Sequence, residues 1–477
     1  MNITESIRFI MPEIVLFVFS LAILISSLFI RKKNIPGIVA LLAVAAASFY
    51  LPHSAKSGPA IFFNMLTPDA FSLFFKEICL FITGIVILVS MGYKALEEDS
   101  AGEYYFLLLN ATIAMLLAVS SDNLLMIYIS LEMLSLISYI LVAFLKQDQK
   151  SSEGALKYFL FGALSTGIML YGISLIYGLF GTLDLSSIAK AVSAGQVNNF
   201  VAFILFLLIL AGLSFKCALV PFHMWAPDAY QGAPTAVTAF ISAGPKAVGF
   251  AVLLRIFTKN LFPLYVNWSD LIMFISILTM TAGNIIAISQ NNIKRMLAYS
   301  SIAQAGYILI GFVAGTAFGA EGVLYYILAY ALMNLGAFGC VILISNSIKS
   351  DSIEDYAGLY KRDPAAAFML AIFLLSLAGV PPLAGFVGKF LVFAAAIQSR
   401  FILLAVIGVV NSVIAAFYYI KVIKYMYLRE PISDAAAARS LPITIALTIV
   451  MAGVLIAGLY PLPFLSWIRA SQSFFIQ

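Results

Sequence analysis

Two lysines, Lys216 and Lys246, close the stretch Ala211–Lys246, AGLSFKCALVPFHMWAPDAYQGAPTAVTAFISAGPK, with His223, Asp228, Pro221, Pro227 and Pro234 between them. Glu132 stands in Ile129-SLEMLSL, Lys157 in Glu153-GALKYF, and Lys389 follows Pro381-Pro382. All lie in apolar surroundings. Burial opposes the charged amine and a nearby carboxylate restores it, so a lysine balanced between the two takes up and releases protons near neutral pH. A bare charge at the centre of a bilayer costs about 2.5–3.5 kcal/mol. Five lysines within spans (Lys76, Lys157, Lys216, Lys246, Lys389) and Glu132 would then cost on the order of 15 kcal/mol if unpaired. They are expected to be paired, hydrated or neutral. Buried ionisable groups beside a proline-broken helix mark an ion or proton path.

The roles divide by position. Lys216 is the expected central proton carrier of the first half, Lys246 a relay, and Lys389 the terminal group near the opposite side. Glu132 reads as a carboxylate that pairs with a lysine and tunes it, or as one half of a structural ion pair. Lys157 reads as a further relay, or as a lysine that snorkels to the headgroups. His223, seven residues after Lys216, reads as a relay or as a histidine hydrogen-bonded where the prolines interrupt the backbone. Lys76 and Glu77 suggest a structural or lipid-edge role, and Glu13 an interfacial one. Lys294 and Arg295 are orientation charges, with Lys294 alternatively a cytoplasmic intake group. Ser130, Ser135, Ser138, Thr235, Thr238, Ser242, Ser300 and Ser301 hold water between charges or pack helices.

The elements that position these residues must be membrane helices. The chain has 477 residues, is 63% hydrophobic and 10% charged, and has a mean hydropathy of +1.04. Soluble domains average about 25% charged residues. Cys79, Cys217 and Cys340 form no CxxC pair, His53 and His223 have no partner at ligand spacing, and no nucleotide-binding glycine pattern is present. No haem, flavin, iron–sulfur cluster or nucleotide is therefore expected on this chain. The +5 net charge lies in loops, where topology accounts for it, and does not point to nucleic acid.

At about 20 apolar residues per crossing, fourteen spans are predicted: 9–30, 35–51, 70–92, 104–120, 123–145, 155–180, 199–220, 235–256, 269–288, 293–314, 320–346, 364–396, 401–425 and 441–461. The first has no basic n-region or cleavage site and reads as a retained helix. The seventh and twelfth carry interior prolines. One set of loops holds 15 basic residues and the other 7, which places the richer set in the cytoplasm and both termini outside.

An internal repeat is visible. Glu153-GALKYFLFGAL and Glu321-GVLYYILAYAL match at seven of twelve positions with an offset of 168, and Tyr139-ILVAF matches Tyr307-ILIGF at four of six with the same offset. This carries the fifth and sixth spans onto the tenth and eleventh. Five spans is an odd number, so the second copy is expected to be inverted, as in transporter cores. The predicted fold is all-α and polytopic: an N-terminal three-helix segment (1–100), a first repeat with broken helix seven (101–260), a second repeat with broken helix twelve (261–430) and a C-terminal helix (431–477). Lys216 precedes its proline while Lys389 follows its pair, so their equivalence is an inference.

SLEMLSL, EGALKYFLFGALSTGIMLYGISLIYG and FKCALVPFHMWAPDAYQGAPTAVTAF together resemble the antiporter-like membrane subunits of respiratory complex I, NADH–quinone oxidoreductase. HMWAPDAYQGAPT is the most specific piece, and it is similar to the N-type branch rather than the L or M types. The likeness covers nearly the whole chain, most strongly residues 120–400. It implies that Glu132 is the fifth-span glutamate, Lys157 a sixth-span lysine, Lys216 the seventh-span lysine, Lys246 the eighth-span connecting lysine and Lys389 the twelfth-span lysine of the output half. It further implies a bacterial inner-membrane location, and partnership with neighbouring antiporter-like and small membrane subunits and lipids. FMN, iron–sulfur clusters and quinone are expected in other subunits, whose redox chemistry drives proton movement here. The alternative is a gradient-driven sodium/proton antiporter subunit.

Overall fold

The computed structural model describes residues 3–29, 34–54, 62, 64–96, 100–260, 264–432 and 440–472. Arg31, Lys32, Lys33, Lys56 and Arg439, which enter the orientation argument, lie outside the described residues, as does the side chain of His53. The described helices are α1 (Ile3–Phe9), α2 (Met11–Ser27), α3 (Asn34–Ser54), α4 (Ala70–Met91), α5 (Ala101–Val119), α6 (Leu124–Val142), α7 (Gln149–Phe180), α8 (Leu185–Ser193), α9 (Asn199–Cys217) and α10 (Ala226–Gly232). They continue as α11 (Thr235–Leu253), α12 (Tyr265–Ile288), α13 (Ile293–Val313), α14 (Ala317–Ile348), α15 (Leu359–Arg362), α16 (Pro364–Ala378), α17 (Ala384–Gln398), α18 (Ile402–Leu428), α19 (Leu441–Leu459) and α20 (Leu462–Ser471).

Twelve of the described helices are long and apolar enough to cross a membrane. They fall on twelve of the predicted stretches. The predicted first stretch is α2, preceded by the short α1, and the predicted twelfth is the interrupted pair α16–α17. Lipid has no hydrogen bonds to offer, so backbone groups must be satisfied within the protein. Side-chain caps do this at helix starts: Asn123, Asp148, Asn292 and Thr316 accept from the first turns of α6, α7, α13 and α14.

The repeat has a structural counterpart. The helices α7 and α14 are both 32 residues long, begin and end 168 residues apart, and each terminates in a left-handed residue, Gly181 (φ 65°) or Lys349 (φ 54°). The cap of the preceding helix is zipped in the same way in both halves. Asn123 bridges antiparallel to Asp184, and Asn292 to Ser352. Outside the spans, desolvation pushes the Asp184 carboxyl up, but bonds from Ser187 and Ser186 outweigh it and hold the group below its ordinary value.

Burial sorts the helices. The apolar windows of α11 and α14 are 100% buried and that of α13 is 94% buried, whereas α18 and α19 expose Val413, Phe417, Leu441 and Leu459. The three central helices therefore see only protein, and their polar side chains must find partners there. Glu13 is buried, not interfacial. Its Oε1 lies 2.7 Å from Lys76 Nζ, and Lys76, fully enclosed rather than at a lipid edge, also sits 4.0 Å from the Phe9 ring centroid.

Candidate proton path

The seventh predicted span stops at Cys217, short of the expected residue 220, because Ala218 turns left-handed (φ 56°) ahead of the Val220–Pro221 bond. The freed backbone groups are met locally. Leu219 N donates to Ser214 O (2.8 Å), the Trp225 indole to Phe215 O (3.1 Å) and Val220 N to Thr279 Oγ1 (3.1 Å). Lys216 lies in the last turn of α9, where the helix dipole favours a cation. It is 2% exposed, and its Nζ donates to Ser135 Oγ on α6 at 2.5 Å.

Glu132 and Lys216 form no direct ion pair, and Glu132 makes none with another lysine among the described residues. Glu132 stands three residues before Ser135 on α6, on the same face, and Ser135 occupies the contact with the lysine. Glu132 is half-buried, and its Oε1 is enclosed without a hydrogen-bond partner.

Lys246 sits on α11, one turn before Gly249. A Cβ at Gly249 would lie 2.7 Å from Cys217 Sγ and 3.3 Å from Lys216 Cβ. That glycine brings α11 against the end of α9 and sets the two lysines on facing turns. No hydrogen bond joins them among the described residues. Lys246 Nζ donates to Ser301 O at 2.7 Å and also bonds Ser301 Oγ. Ser301 Oγ bonds Tyr330 (2.7 Å) and Tyr230 (3.3 Å), and Tyr330 in turn donates to Ser242 O (3.2 Å).

The second break repeats the first with different residues. The helix α16 ends at Ala378, Gly379 turns left-handed (φ 90°), and α17 resumes after Pro381–Pro382. Lys389 folds back from α17. Its Nζ donates to Ala378 O at 2.9 Å and lies 4.5 Å from the Tyr307 ring centroid. Lys216 belongs to the last turn of the helix before its break, and Lys389 reaches the last carbonyl of the helix before its own. Lys389 thus meets a helix C-terminus with its amine, whereas Lys216 is carried by the last turn of one and sends its amine to α6.

The helix α13 joins the two halves. Ser301 faces Lys246, while Ser300, Gln304 and Tyr307 face the second break. Ser300 bonds Tyr419, and Asn284 donates to Tyr307 OH at 2.8 Å. At the start of α13, Lys294 is buried, donates to Ala233 O at 2.8 Å and stands 4.0 Å from Asp351. It lines an open cavity of about 560 Å³ that also reaches Thr235 and Asp148.

One predicted site residue falls elsewhere. Lys157 is 40% exposed and bonds Glu153 (2.7 Å) and Asp228 (2.8 Å), and Asp228 also takes Arg295. That cluster ties α7, α10 and α13 together at the edge of the bundle. His223 is nearly buried within the first break, and its Nδ1 has no hydrogen-bond partner. Among the described residues no group of three or more His, Cys, Asp or Glu is placed to hold a metal, and all three cysteines are buried and free. The sequence reading missed Gln304, Tyr326, Tyr330, Asn334 and Tyr419. A signal existed, since Tyr326 and Tyr330 are spaced i, i+4 in the repeated run, and Ser301 and Gln304 i, i+3 on α13.

Fold and site together define a polytopic helical membrane protein whose polar interior runs between two broken helices. A profile of the family described as NADH:quinone oxidoreductase/Mrp antiporter, transmembrane, matches residues 121–415, and the chain belongs to that family. It is 42% identical over 463 residues to NADH-quinone oxidoreductase subunit N of Trichlorobacter lovleyi, covering 96% of this chain and 95% of that one. A chain of respiratory complex I from Thermus thermophilus with bound aureothin superposes with a TM-score of 0.82 at 31% identity, covering 96% of this chain and 99% of that chain. A chain of the Mrp complex from Dietzia sp. DQ12-45-1b shares the fold at a TM-score of 0.87 and 20% identity, covering 100% and 98%.

Proposed function

We propose that this chain is a proton-translocating membrane subunit of an NADH–quinone oxidoreductase, without redox chemistry of its own, driven by quinone reduction in neighbouring subunits. The observation that carries this reading is the buried row of Lys216, Lys246 and Lys389. Each amine is held by hydroxyls or carbonyls rather than by a carboxylate. Amines held by neutral groups have no fixed counter-ion, so their protons are free to answer to a charge nearby. Such a row passes protons when a neighbouring charge changes. Glu132, with an enclosed and unpartnered oxygen three residues from the bond of Lys216, suits the role of that switching charge.

In this reading protons enter through the cavity at Lys294, pass by Lys216 and Lys246 and leave by Lys389. His223 serves as an additional relay in the first break, and Lys157 positions that break through Asp228. The second repeat is inverted, the richer basic loops are cytoplasmic, and both termini face outward in a bacterial inner membrane.

NADH-driven proton uptake into inverted membrane vesicles tests the reading, comparing wild type with Lys216→Ala at equal amounts of assembled complex. Pumping is expected to be lost in the variant. Unchanged uptake overturns the assignment. Cation-dependent proton exchange without an electron donor would instead mark a gradient-driven antiporter, the other activity in the family's description.

A further inference from the structure

The last four carbonyls of a helix have no partner within it, and at membrane depth each must find one in the protein. At the end of α16 all four are accounted for. Leu375 O accepts from Gly379 N (3.1 Å) and Val380 N (3.0 Å), and Ser376 O from Gly379 N (3.0 Å). Ala378 O accepts from Lys389. The remaining one, Leu377 O, accepts from Gln304 Nε2 at 2.9 Å.

Gln304 is 1% exposed and its carboxamide is held from both sides. Tyr326 OH donates to Oε1 at 2.6 Å, and Nε2 also donates to Tyr419 OH at 3.2 Å. Its orientation is forced, because the Leu377 carbonyl can only accept and the amide nitrogen must therefore face it. Tyr326 lies on α14 and Tyr419 on α18, so the amide ties the end of α16 to three other helices. Leu377 and Ala378 are adjacent, and where one carbonyl is held the other is held too.

We propose that Gln304 is a positioning residue for Lys389, fixing the end of α16 so that the Ala378 carbonyl is where the lysine needs it. With the amide removed, Leu377 O has no donor and the end of α16 is no longer fixed. Lys389 then loses its hold on the Ala378 carbonyl, a bond that its protonated form makes most fully. The inference rests on the proposed role of Lys389.

Proton uptake into inverted vesicles driven by NADH is measured across pH, per assembled complex, for Gln304→Met, which keeps the side chain's length and removes the donor. Uptake at neutral pH is expected to fall about fivefold or more, as for one buried unsatisfied acceptor. The pH profile is expected to move down by about one unit, as for one lost bond to a charged group. A fall of the same size at every pH, or no fall, overturns the proposal, since loosened packing does not move a pH profile. If Gln304→Met does not assemble, Tyr326→Phe decides. It frees the amide oxygen and is expected to move the profile in the same direction by less, and an unmoved profile refutes the role. Lys389→Ala is run alongside. Normal pumping in that variant overturns the role of Lys389 itself, while lost pumping there with an unchanged Gln304→Met overturns only the present inference.

Discussion

Ser135 has one hydrogen to donate, and Leu131 O takes it at 2.7 Å. Its oxygen is therefore free only to accept, and Lys216 Nζ supplies the donor. The hydroxyl sets where the amine rests without holding it as a carboxylate would. Ser135→Ala removes that acceptor, and a hydrogen bond to a charged group contributes about 1.5–3 kcal/mol. Proton uptake per assembled complex is expected to fall about tenfold in Ser135→Ala, with Ser135→Thr restoring most of it. Wild-type uptake in the alanine variant would mean that Lys216 finds its position without Ser135.

Each helix is broken where one residue turns left-handed beside a buried lysine. In the second break that residue is Gly379, with φ 90°. A Cβ there would stand 2.8 Å from Lys389 Cδ and 3.4 Å from Nζ. Gly379→Ala therefore meets two penalties at once. The left-handed backbone costs about 1–2 kcal/mol for a residue with a side chain, and the new methyl pushes the lysine off the Ala378 carbonyl. The expected result is lower thermal stability of the assembled complex together with a larger proportional loss of proton uptake. A loss of stability with full pumping would separate the break's geometry from the path.

Across the molecule, buried charges fall into two kinds. Lys216, Lys246 and Lys389 are held by neutral groups, whereas Lys76 is paired with Glu13 at 2.7 Å and Arg255 makes two bonds to Asp69 at 2.9 and 3.0 Å. Paired charges lock helices. Lys76 joins α4 to α2, and removing one partner of such a pair costs about 3–5 kcal/mol, while replacing both with apolar side chains is often neutral. Lys76→Ala is expected to lower the yield and melting temperature of the assembled complex. The double variant Lys76→Met, Glu13→Met is expected to recover them, with NADH-driven pumping preserved. Loss of pumping in a stable double variant would move this pair into the proton path.

Composition and spacing were enough to determine the class of fold, the proline breaks and the lysines within spans. Twenty apolar residues cross a bilayer, prolines interrupt a helix, and a charge in an apolar run stands out whatever it touches. The matched runs at one offset were legible too, and they lie on two helices of equal length, α7 and α14. Partnership was not legible. The sequence pointed to Glu132 as the partner of a lysine, without saying which, and it is Ser135 on the same helix that meets Lys216. Glu13 looked interfacial until α2 and α4 enclosed it. Gln304, Tyr326 and Tyr419 are unremarkable on their own helices and acquire a role only where α13, α14, α16 and α18 converge. A residue's type and its place along one helix are local properties. Which carbonyl it meets depends on how other helices rotate and cross, and only the tertiary structure decides that.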